Sequence, residues 1–384
     1  VSDRPDLARL GFETRAVHGG GGPDPATGAV NTPVYLSSTF QQDAVGVDRG
    51  FEYARSGNPS RASLEAHLAL LEGAAFGFAF ASGMAAEDAI LRLLDPGDHL
   101  VMPTDSYGGT YRLATTVHRR AGLAVDAIDL AHLAQALRPE TRMIWIETPT
   151  NPMLDIVDIA AVATLAHAHG ALVVVDNTFA TPWLQQPLAL GADVVVHSTT
   201  KYLGGHSDVI GGFTATNDAD VAQRLGFLQN AAGAVPGPFD CYLVQRGAMT
   251  LPIRMERHCA NALGVVDMLD AHGAVDTVLY PSLPAHRGHD IARRQMRGFG
   301  GVVSFTLRGG EPAALAVCNG TRLFTLAESL GGVESLIEHP GRMTHASTTG
   351  TSNEVRGDLV RLSVGIEAID DLVDDLARAL DSVL

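Results

Sequence analysis

Ala171-Leu172-Val173-Val174-Val175-Asp176-Asn177-Thr178 is the stretch from which the fold can be read. Five apolar residues in a row, without alternation, describe a strand buried on both faces, as in a parallel sheet covered by helices. Asp176 closes the run. A carboxylate at the tip of a buried strand is costly when unpaired, so it calls for a cationic partner unless it merely caps the next turn. Working outward, similar apolar runs at 76–81, 99–102, 124–128 and 143–146 alternate with helix-like stretches near 84–94, 109–120, 130–137 and 158–169. This alternation predicts an α/β fold, a mostly parallel sheet with helices on both faces. Ligands of such sheets bind beyond the carboxyl ends of the strands. The residues expected at that rim are Ser82-Gly83-Met84, Asp105-Ser106-Tyr107-Gly108-Gly109, Thr148-Pro149-Thr150-Asn151-Pro152, Asp176-Asn177-Thr178 and His197-Ser198-Thr199-Thr200-Lys201.

On either side of this block the pattern changes. Residues 1–58 are rich in Gly, Pro, Asn and Ser and show no sustained period, so they read as an extended arm that contacts a neighbouring subunit. A helix follows from Asn58-Pro59-Ser60, with Ser60 as its expected cap, and runs through Leu64, Leu68 and Leu71 to Gly73. A glycine- and proline-rich loop at 233–238 precedes a long helical pattern over 239–270. The expected boundaries are therefore 1–58 for the arm, 59–250 for the ligand-binding domain and 251–384 for a smaller α+β domain. In the last of these, strands are expected at 277–280, 302–307 and 322–325, with helices near 311–319 and 367–383.

Composition excludes several function classes. Hydrophobic residues make up 46% of the 384 and charged residues 18%, a globular balance, and the net charge is −16. An acidic field with no basic stripe argues against nucleic-acid and anionic-membrane partners. No stretch approaches the roughly 20 apolar residues of a membrane span. Cys241, Cys259 and Cys318 are odd in number, far apart and without metal-ligand spacing. They suit free thiols in a reducing compartment, so a cytoplasmic location without a bound metal is expected.

Lysine occurs once, at Lys201, whereas arginine occurs 26 times. Arginine stays protonated at any working pH, but a buried lysine can lose its proton and attack a carbonyl to form a Schiff base. A compositional bias that spared one lysine is the other reading. A protonated pyridine nitrogen would suit Asp176: at about 4 Å and an effective dielectric near 20 the attraction is ~4 kcal/mol. Ser82-Gly83-Met84 joins a strand to a helix start, where backbone N–H groups form an anion site. Ser198 and Thr200 offer hydroxyls to the same anion, Tyr53 and Arg55 on the arm offer further donors, and Tyr107 could lie over a planar ring. Taken singly, each could be an ordinary surface or core residue.

Asp176-Asn177-Thr178-Phe179-Ala180-Thr181-Pro182 and His197-Ser198-Thr199-Thr200-Lys201-Tyr202-Leu203-Gly204-Gly205-His206-Ser207-Asp208 closely resemble the pyridoxal-phosphate signature of the transsulfuration enzymes of Cys/Met metabolism. That family includes cystathionine γ-synthase, cystathionine γ-lyase and methionine γ-lyase. Tyr53-Ala54-Arg55, Glu147-Thr148-Pro149-Thr150-Asn151-Pro152, Leu326-Ala327-Glu328-Ser329-Leu330-Gly331-Gly332 and Arg361-Leu362-Ser363-Val364-Gly365 resemble its other blocks, so the likeness spans essentially the whole chain. The resemblance implies the aspartate aminotransferase type of fold (fold type I), with pyridoxal 5'-phosphate as cofactor and a homodimeric active unit paired into a homotetramer. It makes Lys201 the Schiff-base lysine, Asp176 the partner of the ring nitrogen and Tyr107 the stacking and proton-moving phenol. Gly83, Met84, Ser198, Thr200, Thr178, Tyr53 and Arg55 would complete the cofactor site, the last two from a neighbouring subunit. Arg361, Ser329 and Asn151 would bind the amino-acid substrate.

Within the family the residues favour cystathionine over methionine. Gly109 stands where the methionine γ-lyase branch commonly carries cysteine, and Glu328 stands where methionine-specific members tend to be apolar. A carboxylate there suits a distal ammonium, and Arg112 could meet a distal carboxylate. Cystathionine γ-lyase activity, with possible γ-synthase activity, is the expectation; methionine γ-lyase or a specialised C–S lyase of secondary metabolism is the alternative. Ser198-Thr199-Thr200-Lys201 also fits the S-x-x-K pattern of serine acylases, but their K-T-G element needs a second lysine. A non-catalytic protein that merely binds the cofactor has no reason to keep the full set of groups.

Overall fold

The computed structural model describes residues 5–344 and 355–384. Strands are numbered in chain order: β1 Phe76–Phe80, β2 His99–Pro103, β3 Ala124–Ile128, β4 Thr141–Glu147, β5 Leu172–Asp176, β6 Val194–Ser198 and β7 Gly212–Thr216. These form one sheet in the order β1-β7-β6-β5-β4-β2-β3. Pairs from β6 across to β3 are parallel, while β7 is antiparallel to both β1 and β6.

The pleat explains the unbroken apolar runs. In β5, Val174 packs with Trp145, Val196 and Phe80 on one face. Val173 and Val175 pack with Ile144, Ile146 and Ile159 on the other. All three valines are fully buried, each contributing roughly 1.5–3 kcal/mol. A polar residue in either register would therefore face a core.

The second sheet comprises β8 Val275–Leu279, β9 Val302–Leu307, β10 Thr325–Leu326, β11 Leu336–Glu338 and β12 Leu359–Ser363, in the order β10-β11-β12-β9-β8. Its register sets Arg361 of β12 between Glu338 of β11 and Ser304 of β9. A guanidinium is thereby held on the central strand of a small, mostly antiparallel sheet. No helix among the described residues is long and apolar enough to cross a membrane, and all three cysteines are free.

Several local expectations are corrected. The helix at Pro59–Glu72 is capped by Asn58, whose side chain accepts from the amides of Ser60 and Arg61, so Ser60 lies inside it. Pro59 takes the first helical position, where its missing N–H costs nothing, and this moves the cap one residue earlier than Pro59. The first 58 residues are not wholly extended: a helix at Phe12–His18 buries Phe12 and Ala16, and Phe12 meets Trp183 edge to face. The long pattern over 239–270 splits into Pro238–Ala248 and Leu251–Ala271. Pro252 accounts for the break, since its ring would clash with the carbonyl of Ala248 in a continuous helix. Arg254 fills the corner, donating to Gly247 O and Tyr202 O at 2.8 Å each. The expected strand at 322–325 shrinks to β10 because the Asp375 carboxylate takes the amides of Arg322, Leu323 and Phe324. β7 has no counterpart in the sequence reading; its Gly-Phe-Thr-Ala-Thr composition carries only a weak strand signal.

Candidate active site

Parallel register brings the strand tips to one level. Glu147 ends β4 opposite Asp176, which ends β5, and Ser198 ends β6. After β1, Ser82 caps the helix Gly83–Leu91, its hydroxyl accepting the Ala85 amide at 3.1 Å. These tips, Lys201, and Ser329 and Arg361 from the second half of the chain line one cavity of about 290 Å³.

One end of the cavity suits an anion. A Cβ at Gly83 would come within 2.9 Å of Ser198 Cβ, so only glycine lets the helix start approach β6 this closely. Met84, Ser198 and Thr200 line this wall. Ser198 N donates to Thr178 Oγ1 at 2.9 Å, and the Thr200 hydroxyl exchanges hydrogen bonds with the Gly211 backbone. The helix N-terminus adds its dipole.

The other end calls for a cation. Asp176 accepts from the Thr178 amide at 2.9 Å, yet burial pushes its carboxyl up, with the neighbouring His197 pulling the other way. Glu147 accepts from the Tyr107 amide at 2.7 Å and is pushed up well above the usual range by burial and then by Asp176. Glu87 is pushed up to about 8, again by burial first and Asp176 second. Three acids face one space, and each opposes the ionisation of another. A protonated heterocyclic nitrogen would relieve that wall, so the two ends together fit pyridoxal phosphate.

Beneath these tips His197 Nε2 lies 2.5 Å from Glu72 Oε1, which also accepts from Asn177 Nδ2 at 3.0 Å. Pleating turns His197 and Asn177 away from the face that Ser198 and Asp176 present, so the buried pair braces both strand ends from behind.

Lys201 Nζ donates to Ser329 Oγ at 2.6 Å. Burial lowers its pKa to about 8, with the Arg361 charge adding to the effect and Glu338 and Glu328 opposing it. At pH 7 roughly a tenth of the amine is then neutral, against well under a thousandth for an ordinary lysine. Because the chain has one lysine, amine-selective labelling of the cofactor-free protein reports this side chain and the α-amine alone. The side-chain reaction is expected to rise with a midpoint near 8; a midpoint above 10 would remove the poised amine.

Ser329 adopts φ +98°, a left-handed conformation that costs a non-glycine residue about 1–3 kcal/mol. It places the hydroxyl on Lys201 while the Ser329 carbonyl accepts from Arg361 Nη2 at 2.7 Å. Arg361 is 2% exposed. Its Nη1 donates to Asn151 Oδ1 at 2.8 Å, and Nη2 lies 3.0 Å from Glu338 Oε2.

Glu338 was not singled out in the sequence. The signal was available: a glutamate in the otherwise apolar strand Leu336–Glu338. Only strand pairing shows that it sits against Arg361. Removing one member of a buried pair leaves the other uncompensated, so Glu338→Gln is expected to lower the unfolding free energy by about 3 kcal/mol, measured by urea denaturation. No loss would mean that Arg361 is neutralised elsewhere.

Tyr107 lines the cavity and is 38% exposed. Burial raises its pKa, with Glu87 adding to the effect and Arg112 opposing it. Glu328 and Asn151 also line the cavity. Three expected residues do not line it within this chain. Tyr53 is 46% exposed, Arg55 donates to the backbone and side chain of Asn230, and Arg112 is exposed on the helix Gly108–Arg112.

The chain is 61% identical over 375 residues to the cystathionine gamma-synthase of Mycobacterium tuberculosis (strain ATCC 25618 / H37Rv), covering 96% of this chain and 97% of that one. It is 51% identical over 376 residues to a cystathionine beta-lyase of Lactococcus lactis subsp. cremoris, covering 96% and 99%. Among solved structures, metB from Corynebacterium glutamicum superposes with a TM-score of 0.97 at 51% identity, covering 99% of this chain and all of that one. Cystathionine gamma-lyase from Lactobacillus plantarum, complexed with L-serine, gives 0.94 at 46% identity, covering 97% and 99%. Residues 13–381 match the model of one family. With nearly its whole length matched, the chain belongs to the Cys/Met metabolism PLP-dependent enzyme family.

Proposed function

We propose that this protein breaks and forms the carbon–sulfur bond at Cγ of cystathionine. In the elimination direction cystathionine and water give cysteine, 2-oxobutanoate and ammonia. In the replacement reaction the thiol of cysteine displaces the acyloxy group from Cγ of an O-acyl-homoserine, giving cystathionine and the free acid. The likeness to proteins named cystathionine gamma-synthase weighs for the second direction. The observation that carries the substrate choice is Glu328, an exposed carboxylate on the cavity that also holds Lys201 and Arg361. It offers a counter-charge to the distal ammonium of cystathionine, which methionine lacks.

In this reading Arg361 grips the substrate α-carboxylate with a fork that keeps its charge. The Ser198 and Thr200 hydroxyls and the amides of Gly83 and Met84 would hold the cofactor phosphate, Thr178 would complete the cofactor site, and Asp176 would keep the ring nitrogen protonated. The cofactor, when bound, withdraws electrons from the substrate carbon skeleton. Lys201 Nζ would take the Cα proton of the substrate and return protons along its chain. Tyr107 would stack on the cofactor ring, and its raised pKa would keep the phenol protonated and able to supply a proton to the departing sulfur. Asn151 orients the substrate alongside Arg361, and Arg112 faces a distal carboxylate from the rim. Tyr53 and Arg55 reach the phosphate from a second copy of the chain, which makes the active unit a homodimer, paired as a homotetramer. Gly109 supports cystathionine over methionine chemistry: a Cβ there would lie 2.4 Å from Tyr107 Cε1 and 2.9 Å from Met84 Sδ, so a cysteine would displace the phenol.

The test supplies cystathionine, methionine, and an O-acyl-homoserine with cysteine in separate assays of the holoenzyme. Cystathionine and 2-oxobutanoate are expected as products, with little methanethiol. Faster turnover of methionine than of cystathionine would overturn the role of Glu328, and homocysteine with pyruvate from cystathionine would place cleavage at Cβ instead.

A further inference from the structure

We propose that Glu87 is a further titrating residue of the cofactor cavity, a carboxyl near Asp176 whose proton sets the charge felt by the Lys201 nitrogen. The proposal rests on reading this cavity as the cofactor site. Glu87 lies four residues after Gly83, one turn into the helix Gly83–Leu91 and on the face that its start presents. It is 4% exposed, yet it lines the same cavity as Asp176, Glu147 and Lys201. Its Oε2 meets no hydrogen-bond donor among the described residues. The Thr110 hydroxyl beside it favours the ionised carboxyl and so opposes the effect of burial.

Neither a solvated helix face nor a cap accounts for this position. Its helix neighbours Ala86, Ala89 and Ile90 belong to the apolar core, where an isolated carboxylate would be costly. The next residue, Asp88, is accounted for by His118, 2.8 Å away, and by Arg92. Asp176 of β5 and the Thr110 hydroxyl act on Glu87 from other elements, and Glu87 in turn acts on Glu147 of β4 and on Tyr107; Lys201, beyond β6, shares the cavity wall with it. Arg112 acts on Tyr107 from the surface.

Burial, the main cause of the high pKa, keeps Glu87 protonated at neutral pH and lets it ionise in mildly alkaline solution; the charge of Asp176, the second cause, is offset where that carboxylate pairs with the ring nitrogen. Once ionised, Glu87 adds a negative charge that favours the protonated form of the Lys201 nitrogen. The pH at which that nitrogen deprotonates therefore rises. Removing the charge lowers it.

The test titrates the visible absorbance of the holoenzyme, which follows the proton on the cofactor-linked Lys201 nitrogen, between pH 6 and 10. Wild type, Glu87→Gln and Glu87→Thr are compared, with cofactor content measured after borohydride fixation. In both variants the midpoint is expected to fall by about half a unit or more, and the curve to narrow toward a single proton. A merely structural Glu87 would change thermal stability and leave the midpoint in place. Coincident midpoints overturn the inference, and either variant suffices if the other does not retain cofactor. Failure of both to hold cofactor, with wild type doing so, also overturns it, because a tuning carboxyl is dispensable for binding. If wild type shows no visible band, the cofactor reading itself fails, and the proposal with it.

Discussion

Lys201→Arg is expected to abolish turnover while leaving the fold in place. The substitution keeps a positive charge opposite Glu338 and Glu328, the two groups that raise the lysine pKa, and it keeps a donor for Ser329 Oγ. What it removes is an amine that can shed its proton. A guanidinium holds its proton above pH 12 and neither attacks a carbonyl nor takes a proton from carbon. General acid–base work alone is worth up to ~10⁴-fold, and the covalent link to the cofactor is lost as well, so the rate should fall by at least about that factor. Because Lys201 is the single lysine, borohydride reduction of the variant should leave no pyridoxyl group on any side chain. Near-normal turnover, or a stable adduct elsewhere, would refute the role assigned to it.

Arg361→Met should damage the protein in two separable ways. The fork that takes the substrate carboxylate disappears, an effect on the order of 10³-fold in kcat/KM if the lost charge-assisted contact is worth ~4 kcal/mol. Glu338, Asn151 Oδ1 and the Ser329 carbonyl also lose their bond to the guanidinium. Stranding a buried carboxylate typically costs about 3–5 kcal/mol of stability. The double variant Arg361→Met/Glu338→Gln distinguishes the two effects. Much of the stability should return, since no unpaired charge remains, whereas kcat/KM should stay low. Recovery of both would reduce Arg361 to a structural ion pair.

The neutral methionine also changes Lys201. Arg361 is the second cause of its lowered pKa, so the amine in Arg361→Met should hold its proton to higher pH. On the proposed reading, the guanidinium that takes the substrate's carboxylate and the amine that takes its Cα proton are thus coupled through one cavity wall.

The strand Leu172–Asp176 and the lone lysine were legible because each rests on a local rule. A strand buried on both faces must be apolar throughout, and an acid at its tip must find a partner. The helix start after β1 was legible for the same reason, from Ser82-Gly83 alone. Asn58 as the cap was equally local, since Pro59 fixes the first helical position, and it was missed by reading the serine rather than the proline. Glu87, Glu338 and the His197–Glu72 pair were not legible. Each is an ordinary polar residue in its own segment, and its meaning comes from what a distant segment sets beside it.

The chain by itself determined the layered α/β sheet, the acid at the strand tip, the glycine at the helix start and the single side-chain amine. Those follow from backbone geometry and from the cost of burying charge, which act over a few residues. Folding alone decided that Arg361 and Glu338 pair across β11 and β12, that Ser329 bridges Arg361 to Lys201, and that three carboxyls crowd one end of the cavity. Such features arise from strand register and through-space charge, and no periodicity along the chain records either.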